Sequence, residues 1–189
     1  MKKTLLATLL GFLGIEQRYV TAPGYSTDGL VGVNFNNVDD SDAPAHTVGT
    51  VVYGTDGSKW IYVQALSTIA QYDAVIILAS ASAANTNVGA VPVTTTNALT
   101  SPRIGFAQVA IASSKYGWVA LEGNNLRVKT LIACQPAVPL FTTATAGSLD
   151  DTVVTAGHVH GVVLRSSATS ASAPTCTATH PHIGIYGGG

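Results

Sequence analysis

Charge is what this sequence lacks most: only 10% of its residues are Asp, Glu, Lys or Arg, against about 25% in ordinary soluble proteins. Nine basic residues are spread along 189 positions for a net charge of −1. Binding to nucleic acid needs several cations neutralising phosphates together, so a nucleic-acid partner is not expected. Cysteine is nearly absent as well. Cys134 and Cys176 are too few for a disulfide framework. Cys134 lies in the apolar run LIACQ and reads as a buried small hydrophobe. Cys176, in the polar stretch SAPTCTATH, reads as exposed, and spacing alone does not decide whether the two pair.

No apolar run is long enough to cross a bilayer, which takes about 20 residues, so no membrane partner is expected. The run from Leu5 to Ile15 follows two lysines and imitates a secretory signal, but Glu16-Gln17-Arg18 stands where a small-x-small cleavage site would be. It reads instead as an amphipathic arm that docks on a partner, a targeting segment being the alternative. Phosphate-cradling glycine loops are missing too: there is no G-x-x-x-x-G-K-[ST], and no G-x-G-x-x-G opening a helix.

What replaces charge is Ala, Gly, Ser and Thr, a composition poor in helix formers and suited to strands. Together with a mean hydropathy of +0.33, it describes a surface that would be sticky if left bare, hence a subunit of an assembly. Residues 1–45 read as an N-terminal arm and connector, and residues 46–189 as a β-rich domain. Within the connector, Leu30, Val31, Val33 and Phe35 suit a brief strand or latch. Asp39, Asp40 and Asp42 read as a solvated turn, since the EF-hand pattern that would make them calcium ligands is missing.

From His46 onward the pattern is β. HTVGTVVYG and SKWIYVQA alternate around TDG, with Trp60 and Tyr62 on one face and Ile61 and Val63 on the other. DAVIILAS is a continuous apolar run of strand length, which predicts a strand buried on both faces. Pro92 marks an edge strand, and ALSTIAQY has room for one helical turn. RIGFAQVAIAS, YGWVALE and LRVKTLIA read as a meander, with a turn at Gly123-Asn124-Asn125. VPLFT, DTVVTA, HVHGVVLRS and HIGIYG finish the domain, and residues 166–181 read as a low-complexity surface loop. The fold class is therefore all-β, a compact β-sandwich or barrel with an extended N-terminal arm, whose one candidate helix is short and N-terminal.

Candidate chemistry is sparse. His158-x-His160 and His180-x-His182 each put two imidazoles on one face of a strand. Such pairs can ligate a transition metal, but no adjacent Cys, Asp or Glu completes either, so they read as packing or hydrogen-bonding residues and no metal is expected. VVTAGHVHG has a histidine context like that of chymotrypsin-type proteases, yet no nucleophile in an oxyanion-forming turn follows it. Glu122, Asp150 and Asp151 fall in apparent turns, where capping is the common role. No catalytic or cofactor-binding residue is assigned, and the chain is not expected to be an enzyme. Trp118 sits mid-strand in YGWVAL with apolar residues on both faces. It suits the core, a subunit interface shared with Tyr116, or a stacking platform for a sugar.

The segments DGSKWIYVQA (56–65), IGFAQVAIASSKYGWVALEG (104–123), LRVKTLIAC (126–134) and LFTTATAGSLDD (140–151) together resemble the capsid cement, or decoration, proteins of tailed bacteriophages. The resemblance covers a little over half the chain and consists of Gly, Ala and aromatic positions. It implies a structural virion protein on the capsid exterior. Such a protein binds the major capsid protein as a homotrimer and needs no cofactor, with Leu5, Leu6, Leu9, Leu10 and Phe12 anchoring the arm. The alternative is a head-fibre or tail-associated module that binds a receptor or carbohydrate. Fibre shafts carry heptads or β-helix repeats, and this sequence has neither.

Overall fold

A computed structural model describes residues 18–19, 33–41, 43–79, 88–153, 157–168 and 173–184. Among them every regular element is a strand: β1 (Arg18–Tyr19), β2 (Asn37–Asp39), β3 (Val51–Tyr53), β4 (Lys59–Ala65), β5 (Ala74–Ala79), β6 (Val88–Pro92), β7 (Ile104–Ala107), β8 (Tyr116–Arg127), β9 (Leu140–Thr142), β10 (Leu149–Asp150), β11 (His158–Leu164) and β12 (Thr175–Gly184). The all-β expectation is met, and of its two forms the structure selects the barrel. The arm candidates Leu5, Leu6, Leu9, Leu10 and Phe12, and the latch candidates Leu30 and Val31, lie outside the described residues.

Five strands close on themselves. β4 pairs in parallel with β6, β6 antiparallel with β5, β5 with β7, β7 with β8, and β8 returns to β4. Alternation along these strands sorts side chains into two cores. Ile61, Val63, Ala65, Val75, Ile77, Ala90, Ala107, Val119 and Leu121 form one cluster with Ile69 and Ile111. It contains no aromatic ring and draws on ring strands and the segments beside them, as the narrow lumen of a five-strand ring requires. Gly105 shows how tight that lumen is, because a Cβ there would lie 2.7 Å from Val119 Cγ1 and 2.9 Å from the Ala120 carbonyl oxygen.

The opposite parity faces outward and is larger: Trp60, Tyr62, Ile76, Ile104, Phe106, Tyr116 and Trp118. These residues are covered from two directions. Phe35 arrives from the N-terminal side, and Leu126, Leu140, Val159, Val162, Leu164, Cys176 and Ile183 come from a second sheet. That sheet runs β8-β12-β11-β9-β10. β8 belongs to both layers, since its residues 116–122 pair with β4 while Gly123, Leu126 and Arg127 pair with Ala178, Cys176 and Thr175.

The sharing of β8 corrects the expected turn at Gly123-Asn124-Asn125. The strand continues through these residues as a bulge, because β12 pairs with Gly123 and Leu126 on either side and Arg165 Nη1 donates to the Asn124 carbonyl at 2.9 Å. A paired ladder outweighs a local turn preference. The anticipated loop over residues 166–181 is likewise shorter, since β12 begins at Thr175. Cys176 therefore points into the core with no exposed surface, and both cysteines are free thiols. No helical turn forms in ALSTIAQY. Ile69 instead exchanges backbone hydrogen bonds with Ile111, 2.9 Å each way. DAVIILAS becomes β5, buried between β6 and β7 as its apolar run predicts. β6, with Pro92 as its last residue, is not an edge but the strand that closes the ring.

Candidate functional site

Register assembles the aromatic residues. Tyr62 opposes Trp118, Gln64 opposes Tyr116, and Trp60 opposes Ala120, so four large rings share a surface with the small side chain of Ala120. The space over Ala120 admits Phe35, which stacks on Trp60 (centroids 4.5 Å apart, planes 5° apart) and meets Trp118 edge-on at 5.7 Å. His46 closes the group, edge-on to Tyr62 at 5.1 Å and tilted against Trp118 at 5.4 Å. The buried indole N–H of Trp60 donates to Ser58 Oγ at 2.6 Å, so the cluster carries no stranded donor there. Trp118 is 1% exposed and Tyr116 6%. These two, proposed from sequence as interface residues, turn their surfaces to the chain's own core. Neither ring presents a stacking platform to solvent.

The cluster works as a clasp on the segment before β3. Tyr62 Oη donates to Asp39 Oδ2 at 3.1 Å, and Asp39 also accepts from the Ser41 backbone N–H (3.1 Å), Ser41 Oγ (2.6 Å) and the Ala45 N–H (2.6 Å). Burial alone would raise the Asp39 pKa, but the bonds from Ser41, Ala45 and Tyr62 outweigh it and hold the carboxyl below its ordinary range. Burial, then the Asp39 charge, pushes the Tyr62 phenol far above its usual range, so it stays a donor. The folded pKa of Asp39 lies below the unfolded value of about 3.9. Its stabilisation is therefore present above that value and is lost as pH falls through the folded pKa. Asp39→Asn is expected to cost about 1–2 kcal/mol at neutral pH through lost charge-assisted bonds. The cost shrinks in acid, where the native carboxylate is itself protonated. Urea midpoints for both proteins at neutral and acidic pH check this, and a cost that does not change with pH refutes it.

A second group joins Cys134, Asp150 and Asp151, whose potential ligand atoms all lie within 4.8 Å of one another. Burial, then Asp151 and Asp150, pushes the Cys134 thiol up to about 11, and burial pushes Cys176 up to about 12. Neither thiol is a ready nucleophile at neutral pH. Asp151 Oδ2 accepts the Gln135 N–H at 2.9 Å, a turn-capping role. Glu122 sits between Lys59 Nζ at 3.3 Å and His180 Nδ1 at 3.7 Å.

The third group is one that sequence reasoning kept apart. His160 and His182 are direct cross-strand partners on β11 and β12, and His158 lies two residues from His160 on the same face. Ring centroids are 3.9 Å apart for His158 and His160, and 4.7 Å for His160 and His182. Burial, then His160 and His182, holds the His158 imidazole below its usual range. His180 leaves the group: its backbone takes a φ of 48°, and its side chain, 82% exposed, turns toward Glu122. The signal that could have located the trio is the H-x-H motif on each strand, but only the register joins one motif to half of the other.

No family model matches this chain, and no curated protein matches it. Among solved structures it is similar to the N base of head fiber gp8.5 of bacteriophage phi29, with a TM-score of 0.48 and 9% sequence identity over 68% of this chain and 98% of that one. A likeness of that degree says nothing of what this chain binds.

Proposed function

We propose that this chain is a structural protein of a tailed-bacteriophage head. In this reading it sits on the capsid exterior as a homotrimer and stabilises the lattice of major capsid protein. It has no enzymatic activity and no cofactor. The observation that carries the reading is where the decoration-protein-like segments fall. They are not scattered: 56–65 holds β4, 104–123 holds β7 and most of β8, and 140–151 holds β9 and β10. The resemblance thus takes in three of the five ring strands, β4, β7 and β8, and two strands of the attached sheet, β9 and β10. Low charge supports the same reading, as do apolar side chains left exposed at the sheet edge, Val51 and Tyr53 on β3. A surface of this kind suits burial against neighbours.

The mechanism is mass action: a protein that binds the mature lattice and not its precursor adds its binding free energy to the assembled state. A trimer engages several sites at once, so effective concentration makes release slow even where each arm binds weakly. Leu5, Leu6, Leu9, Leu10 and Phe12 are the proposed anchors. Quantitative mass spectrometry of purified virions tests the role, with a copy number near that of the major capsid protein expected. A few copies per particle would replace the lattice role with that of a head fibre or tail-associated receptor-binding module, and absence from the virion would overturn both. Deleting residues 1–20 is expected to leave a folded oligomer that no longer holds heads; head binding by that truncation would remove the arm from the mechanism.

A further inference from the structure

We propose that His158, His160 and His182 form a binding site for a divalent transition-metal ion of the zinc, nickel or copper type. Strand geometry places them together. Residues two apart on β11 point the same way, and His182 stands directly across from His160 on β12. Val159 and Ile183, of the opposite parity, are buried in the core. The imidazoles therefore lie on the face opposite that core, with His158 half-buried and stacked on the buried Phe141 ring (centroids 5.1 Å apart), His160 half-buried and His182 exposed, so that an ion reaches the group from the His182 side.

Two details favour coordination over simple packing. His182 Nδ1 lies 3.1 Å from the His180 carbonyl oxygen. A carbonyl only accepts, so Nδ1 is the donor, and in the neutral ring that leaves the Nε2 lone pair for a metal. Across from His158 stands Gly184, and a Cβ there would lie 3.0 Å from His160 Nε2. The missing side chain leaves His160 Nε2 room on the His158 side of the group. His160 and His182 stack with their planes 9° apart. Coordination splays them, a rotation that outward-facing rings can make without disturbing the β11–β12 ladder.

The donor set selects the ion. Three imidazoles without a carboxylate suit zinc, nickel or copper and not the oxygen-seeking calcium or magnesium. Arg103, bridged to His182 through the backbone, brings a positive charge to this edge, so binding rests on nitrogen lone pairs and not on a negative field. Three protein ligands leave a further position for water or another ligand.

The test uses the full chain without a polyhistidine tag. Zinc is titrated in competition with a chromogenic chelator, and cobalt is added as a spectroscopic stand-in. A single zinc ion per chain and a tetrahedral cobalt spectrum are expected. His160→Asn should weaken zinc binding by about 100-fold or more, and His158→Asn and His182→Asn each by at least about 10-fold. His180→Asn, whose ring lies outside the group, should leave affinity unchanged. In the unaltered protein, zinc should shift the nitrogen resonances of three imidazoles, a readout that does not depend on any variant folding. No zinc binding overturns the site. So does zinc binding that survives the triple His→Asn variant, and loss of that residual binding in Cys134→Ala would move the ion to Cys134, Asp150 and Asp151.

Discussion

Trp118→Ala is expected to lower the unfolding free energy by about 3–5 kcal/mol, the range found when a buried tryptophan or phenylalanine is truncated. The argument rests on what the ring touches. Trp118 is 1% exposed and lies against Tyr62 at 5.1 Å, His46 at 5.4 Å and Phe35 at 5.7 Å between ring centroids. Truncation removes the transfer free energy of the indole and leaves a void that these rings, held by strand register and by the Asp39 bond, cannot fill. A domain of this kind has about 5–15 kcal/mol in total, so the variant sits near the limit of folding. Trp118→Phe keeps most of the volume and should lose much less. Urea denaturation with an unchanged m-value is the measurement. A loss below about 1 kcal/mol would mean that Trp118 is not part of a packed core, and would return it to the list of surface contacts.

The second large effect is expected at Gly147. Its φ is +73°, where a Cβ costs about 1–2 kcal/mol. Its position is also held from both sides: Gly147 N donates to the Val93 carbonyl and Ala74 N donates to the Gly147 carbonyl, 2.9 Å each. A Cβ there would lie 2.2 Å from Asp73 Cγ. Asp73 is itself buried, accepting from the Ala70 N–H at 2.8 Å and from Lys129 Nζ at 3.3 Å, so it has nowhere to retreat. Overpacking adds about 1–3 kcal/mol, and Gly147→Ala should cost the sum. Gly57 separates the two contributions. Its φ is +79°, but nothing lies within 4 Å of the added Cβ, so Gly57→Ala should show the backbone cost alone. Equal losses in the two variants would remove the steric argument.

Short-range pattern was enough for several elements. Period-two alternation in SKWIYVQA puts Trp60 and Tyr62 in one core and Ile61 and Val63 in the other, because successive strand side chains point to opposite faces whatever the partner. The apolar run of β5 and the burial of Cys134 were legible for the same local reason. The misreadings share a cause as well. Asn124 and Asn125 belong to a continuous strand because β12, some fifty residues later in the chain, pairs with Gly123 and Leu126 on either side of them. Cys176 is buried because its polar neighbours become alternate positions of that strand. Turn propensity is a local quantity of small size, and a ladder formed with a distant segment overrides it.

Composition and local pattern were enough to specify an all-β protein of low charge, with strands of known parity and few groups suited to chemistry. Those properties follow from composition and from the two-residue repeat of the extended chain. Long-range pairing is what closes five strands into a ring, turns Trp118 inward against Phe35 and His46, and stands His182 opposite His160 while His180 turns away. These depend on register between segments far apart in the chain. Sliding one strand by a single residue would exchange every inward and outward side chain while leaving the local pattern unchanged.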